Sequence, residues 1–391
     1  MVFGALVSLV WRAAPAVPHV PANDAVVLEH VPAAVASAKL EPLRARWSAH
    51  PEDLHTALTH AQRYLDIGRA TADPRFVSYA QATLKPWLSR EHADPAVLTL
   101  AATCLQYLHR FDEALALLDR ALIAQRFNGQ AWLTRATILQ VQGRFAQARQ
   151  ACRPLIQISG HLIALTCLTS VSSLTGGLNA SYHALSGVFT DDPRLELGVR
   201  VWILDELGDM AERLGDDRAA EARYLAALQA APQDGYSKAA YADLLLRENR
   251  NAEVVQLLRE DTSQDNLLLR LAIATARLRS VQGQRFREMF QARYEAARRD
   301  GDFTHLREQA RFTLEVRGDA GQALQLAEHN WQVQREPADV RIYYSAAIAA
   351  TNKTALHNIQ TWVTQMHYED RTLDSLGNVG SGPAGARVVG R

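Results

Sequence analysis

Thirteen histidines, three cysteines and a dense run of carboxylates are the residues of this 391-residue chain best able to do chemistry. Metal binding would need several of them to converge. His50, His55 and His60 recur every five positions. That spacing turns each next side chain about 140° round a helix, so the three cannot share a face. No HExxH, HxH or Cys/His cluster occurs. Cys104, Cys152 and Cys167 lack CxxC spacing and fall on apolar helical positions. They read as small buried hydrophobes and argue no disulfide framework. Gly380, Gly382 and Gly385 spell GxGxxG, a phosphate cradle only between a strand and a helix N-terminus, and the tail holding them has neither. Walker and GxSxG motifs are missing as well. The chemistry-bearing residues therefore predict no catalytic group, no metal and no cofactor.

Charge is balanced overall, with 42 Lys+Arg against 42 Asp+Glu. A chain-wide role on nucleic acid or an anionic membrane would show a basic excess, so no nucleic acid is expected as partner. Locally the balance breaks. Residues 189–221 carry ten acids against four arginines, and 270–299 carry eight arginines against Glu288 and Glu295. These stretches read as solvated helix faces or, more sharply, as an acidic and a basic patch that orient a partner. The eight arginines also support an alternative reading, a cytoplasmic regulatory or nucleic-acid-associated protein.

The elements that carry these residues are marked by their stops. Gly143, Gly176, Gly215, Asn249, Gly283, Gly318 and Asn352 follow one another at spacings of 33, 39, 34, 34, 35 and 34. Glycine and asparagine enter the left-handed backbone region cheaply and so end helices sharply. A stop at this interval, with apolar helical pattern between, predicts stacked helical hairpins. The units 95–128 and 129–161 superpose at a shift of 34: Leu98 on Trp132, Ala102 on Ala136, Leu105 on Leu139, Phe111 on Phe145 and Ala114 on Ala148. The paired alanines mark where two helices approach closest.

This pattern resembles the tetratricopeptide repeat (TPR). Trp132-x2-Arg135-Ala136-x2-Leu139, then Gly143-x-Phe145-x2-Ala148, stands where that family has its W-x2-L-G-x2-Y and G-x-Y-x2-A positions. Leu204, Leu207, Gly208, Gly215, Ala220, Tyr224, Ala227 and Pro232 match again, followed by Tyr241, Ala242, Leu245 and Asn249. The resemblance covers roughly residues 95–365. It implies an all-α, right-handed α-α superhelix of about eight to nine hairpins.

Five segments are expected. Residues 1–22 form a possible signal sequence or N-terminal tether, since Val2–Trp11 is an apolar run followed by Ala14-Pro15-Ala16, with a form close to a cleavage site. The run is too short to span a bilayer, and no membrane span is expected. Residues 23–93 are a lead-in with a divergent hairpin, and Ala61, Tyr64, Ala80 and Trp87 are its internal contacts. Residues 94–265 hold the regular repeats, 266–370 divergent ones, and 371–391 a disordered tail. The possible signal points to a periplasmic or otherwise exported protein, with a cytoplasmic location as the alternative.

In TPR proteins the first helix of each hairpin lines the concave side, where an extended peptide or partner helix is held. By that resemblance the groove is lined by Thr99, Thr103, Gln106, Tyr107, Thr137 and Gln140, then by Trp202, Asp205, Asp209, Arg213, Tyr236, Asp243 and Arg247. Trp202 and Tyr236 are the preferred anchors, because aromatics are enriched among energetic contacts. The expected function is a non-enzymatic scaffold that binds a protein or peptide, acting as an assembly factor of an envelope-associated complex.

Overall fold

The computed structural model describes residues 41–42, 45–50, 52–71, 74–281, 283–299 and 305–379, all helical or in turns, with no strand among them. The expected signal at 1–22 lies outside these residues.

The helices pair in sequence. The first hairpin joins α1 (Leu54–Thr71) to α2 (Pro74–Leu88), the second α3 (Pro95–Tyr107) to α4 (Phe111–Ala124). The third joins α5 (Gly129–Val141) to α6 (Phe145–Cys152), prolonged by α7 (Leu155–Ile158), and the fourth α8 (His161–Ser173) to α9 (Leu178–Val188). Next come α10 (Leu197–Arg213) with α11 (Asp217–Ala230), and α12 (Gly235–Arg247) with α13 (Asn251–Leu258). The seventh and eighth join α14 (Asp265–Arg277) to α15 (Gly283–Arg299) and α16 (Leu306–Glu315) to α17 (Ala320–Trp331). The ninth joins α18 (Pro337–Ala349) to α19 (Lys353–Met366), and α20 (Thr372–Val379) follows.

The stops do what their chemistry allows. Gly143, Gly176, Gly215, Asn249 and Gly318 all have φ between 61° and 80°. At the two remaining positions a neighbour enters the left-handed region: Arg279 (φ 52°) before Gly283, and Thr351 (φ 51°) before Asn352. Asn352 is freed to cap α19, its side chain accepting the Ala355 N–H at 3.0 Å. Asn128, Asp216 and Asp234 cap α5, α11 and α12 in the same way. The close-approach alanines Ala102, Ala114, Ala136 and Ala148 are at most 2% exposed, and Ala61, Tyr64, Ala80 and Trp87 are buried in the first hairpin.

Three features depart from expectation. Cys152 and Cys167 form a disulfide, Cα–Cα 5.7 Å, which ties the end of α6 to the middle of α8; Cys104 alone is a free, buried thiol. Hairpin stacking brings together two positions that sequence spacing leaves unrelated. Part of the expected tail is ordered: Thr372–Val379 is helical, it packs on α18, and Leu373 is buried.

The third departure is that the spiral touches itself. The turns inside the early hairpins meet the connections between the late ones, about five hairpins further along. The Arg335 N–H donates to the Val141 carbonyl (2.8 Å) and the Arg371 N–H to the Arg213 carbonyl (2.9 Å). His109 lies beside His305 and Gln334, and Phe145 packs near Trp362. A single apolar cluster thus runs from Ala93–Leu174 into Ala310–Leu373. Successive coils are stacked edge on edge.

Candidate functional site: the concave face of the fifth and sixth hairpins

Helix α10 has 17 residues where most first helices of hairpins have 13, and it carries Asp205, Glu206, Asp209 and Glu212. The compensation each carboxyl receives rises along the helix. Asp205 is 4% exposed and accepts only from Ser237 Oγ (2.9 Å), leaving Oδ1 without a hydrogen bond. Burial, reinforced by Asp234 and Glu206, pushes its pKa up to about 8. Glu206 accepts from the Trp202 indole N–H (3.1 Å), and burial pushes it up to about 7. Asp205 is therefore largely neutral near neutral pH and Glu206 only about half ionised, because no cation is close enough to outweigh desolvation.

Further along, cations appear. Asp209 accepts from Arg213 Nε at 2.8 Å. Arg213, 1% exposed, also donates to the carbonyl (2.9 Å) and hydroxyl (2.8 Å) of Ser173. Glu212 receives Tyr224 OH (3.2 Å), Arg247 Nε (3.4 Å) and Arg341 Nη1 (3.2 Å). Burial still raises its pKa against the two guanidiniums. On α12, Asp243 shows the opposite balance. Burial alone would raise it, but Arg270 and Arg311, each at 2.5 Å, hold it down to about 2.

Tyr236 sits at the start of α12 and is 65% exposed. Crowding by surrounding protein first, then Asp209, Glu206, Asp205 and Glu336, hold its phenol well above the ordinary range. Glu336 directly precedes α18, so the ring also feels a carboxylate from the ninth hairpin. The exposed Tyr236, with the half-buried Glu206–Trp202 pair on the neighbouring helix, makes a patch that is polar and carries only part of its formal charge. Such a patch can accept hydrogen bonds from a guest, and a lysine or arginine placed there would draw the carboxyls back to their ionised form.

The other expected groove residues divide. Thr137 is exposed and Gln106 partly so. Gln140 donates to Ser170 Oγ (3.0 Å), and Tyr107 OH reaches the Gly68 carbonyl (3.3 Å). Arg247 is held by Asp217 as well as Glu212. Thr99, Thr103, Asp205 and Arg213 are buried, against the expectation of an open lining. Neighbouring first helices pack closely enough to enclose them. Thr99 donates back to Pro95 and accepts from Asn128, and Thr103 donates to the Thr99 carbonyl. Glu206, Glu212 and Glu212's partner Arg341 were missed: the acidic run was visible, but which of its members face inward was not.

The basic stretch is partly consumed. Arg270 pairs with Asp243, Arg277 with Glu315 and Arg293 with Asp265. Among the described residues no group of three His, Cys, Asp or Glu side chains is placed to hold a metal, and no helix is long and apolar enough to cross a membrane.

No protein-family model and no curated protein sequence matches the chain. Solved structures do. A chain of the APC/C hetero-tetramer Cut9–Hcn1 is 12% identical, with a TM-score of 0.43, covering 80% of this chain and 52% of that one. A human IFIT1 dimer with PPP-AAAA is 11% identical, with a TM-score of 0.48, covering 85% and 78%. A tetratricopeptide repeat protein from Parabacteroides merdae is 12% identical, with a TM-score of 0.25, covering 83% and 98%. This chain spans about half the length of the first. These likenesses concern the fold alone. The described residues form a helical-repeat fold, a series of stacked helical hairpins.

Proposed function

We propose that this protein is a non-enzymatic scaffold whose concave face holds a protein or peptide segment at the fifth and sixth hairpins. The observation that carries this reading is Tyr236, 65% exposed and within the electrostatic reach of Asp209, Glu206 and Asp205. A large exposed aromatic surrounded by polar groups is a common form of interface anchor. The partly ionised Glu206 near it favours a guest that donates hydrogen bonds or brings a basic side chain. The exported location, and the role in assembling an envelope-associated complex, belong to the same proposal. The Cys152–Cys167 disulfide supports them, because structural disulfides persist in oxidising compartments. A cytoplasmic, nucleic-acid-associated role is less favoured, since three of the eight arginines of 270–299 are engaged within the chain.

The test is affinity capture with the intact protein and with Trp202→Ala/Tyr236→Ala. Loss of a specific protein from the double variant, with folding unchanged, supports the reading. An unchanged set of captured proteins would sink it.

A further inference from the structure

A band of hairpins has two edges. One is formed by the turns within hairpins, the other by the connections between them. In this chain the turn edge of the second to fifth hairpins is covered by the connection edge of the last ones: His109 by Gln334, Gly143 by Arg335, Gly176 by His367 and Gly215 by Arg371. The turn edge of the sixth to ninth hairpins, at Asn249, Leu278–Val281, Arg317–Asp319 and Thr351–Lys353, is exposed, with Leu278 at 47% and Val281 at 92%.

The connection edge of the early hairpins is exposed in the same way, and it is apolar. Ile123 (86%) ends α4 and Phe127 (62%) follows it; Ile156 (46%) lies in α7; Val188 (61%) ends α9 and Leu197 (53%) begins α10. Large exposed hydrophobics elsewhere are scattered, whereas these five fall on one edge. An apolar row of this kind marks a docking surface.

We infer that the occupant is a second copy of this chain. The two free edges are of the same two kinds that already meet inside the molecule, so joining them repeats an existing contact. The early connection edge of one copy, with Phe127, stacks on the late turn edge of another, with Val281, and the spiral continues across the junction. Because the two surfaces differ, the contact is head to tail and leaves one edge free at each end, so it extends as an open series.

The test uses the full chain in sedimentation velocity across a wide concentration range, with Phe127→Asp and Val281→Asp. Wild type is expected to form a concentration-dependent ladder, and each variant alone to remain monomeric with unchanged circular dichroism and Tm. Mixed in equal amounts, the variants still hold one intact edge each, so they are expected to pair and stop at a dimer. Tyr236→Ala should associate like wild type, which separates this contact from the groove. A wild type that stays monomeric overturns the inference. So does either variant associating as wild type does, or a mixture that fails to pair.

Discussion

Glu212 and Arg341, 129 positions apart in sequence, meet at 3.2 Å in the seam between two coils. Arg341 also grips Asp370 (3.0 Å), which itself accepts from Tyr368 OH (3.1 Å) and from the Thr372 N–H (3.0 Å). Burial would raise the Asp370 pKa, but Arg341 and the Thr372 hydroxyl keep it below the ordinary range. The last connection of the chain is thereby locked onto the fifth hairpin by ionised groups. The close of the spiral is polar and specific, where the stacking of neighbouring hairpins is apolar.

Arg213 tests that seam from inside. Arg213→Ala strips the partly buried Asp209 of its partner and leaves the Ser173 carbonyl, in the interior, without its donor. Removing half of a buried pair costs about 3–5 kcal/mol. Urea unfolding should show that loss, and a change below about 1 kcal/mol would mean the surrounding groups find other partners.

Asp205 gives the protein a pH dependence. Its folded pKa of about 8 lies above the ordinary 3.8. The neutral form is therefore the one the fold favours, and stability associated with it is complete below 3.8 and declines as pH rises through about 8. Asp205→Asn keeps an acceptor for Ser237 Oγ and removes the dependence. Its Tm should exceed that of wild type by about 2 °C or more at alkaline pH, with a smaller gain under mildly acidic conditions. Thermal scans in matched buffers decide it, and a pH-independent difference would contradict the assignment.

The disulfide makes a chemical forecast. Denatured without reductant, the chain should take up one alkyl group at Cys104, and after reduction three in all. Intact-mass spectrometry reads both numbers. Changing Cys152 and Cys167 together to serine opens a loop of 15 residues. The chain-entropy estimate for such a loop is about 3 kcal/mol of stability.

Gly208 probes packing between α10 and α11. A β-carbon there would stand 2.4 Å from the Tyr224 ring, whose hydroxyl is already tied to Glu212. Alanine favours helices over glycine by about 1 kcal/mol, but forcing a ring aside in a filled interior costs about 1–3 kcal/mol. Net destabilisation in denaturant titration is the expected outcome, and a stabilised variant would show that the ring can move.

Local periodicity made the hairpins legible. Gly143, Gly215 and Asn249 carry their turns because conformation at those positions depends on a single residue. Ala102 and Ala114 announce a close contact because volume there depends on one helix pair. What lay beyond reading were the events that join distant stretches. Cys152 and Cys167 give no spacing signal, since their meeting depends on how the third hairpin lies on the fourth. The same holds for the candidate site. Trp202 and Tyr236 stand out as aromatics on the right face, yet the neutrality of Asp205 depends on burial, which residue type alone does not report.

Edge-on-edge stacking removes a freedom that open arrays of repeats possess. In an unclosed series each unit answers only to its neighbours, so a unit can be duplicated or lost with little harm elsewhere. Here one additional hairpin in the middle would slide Arg335 away from Val141 and Arg371 away from Arg213 together. The number of units between those contacts is thereby fixed.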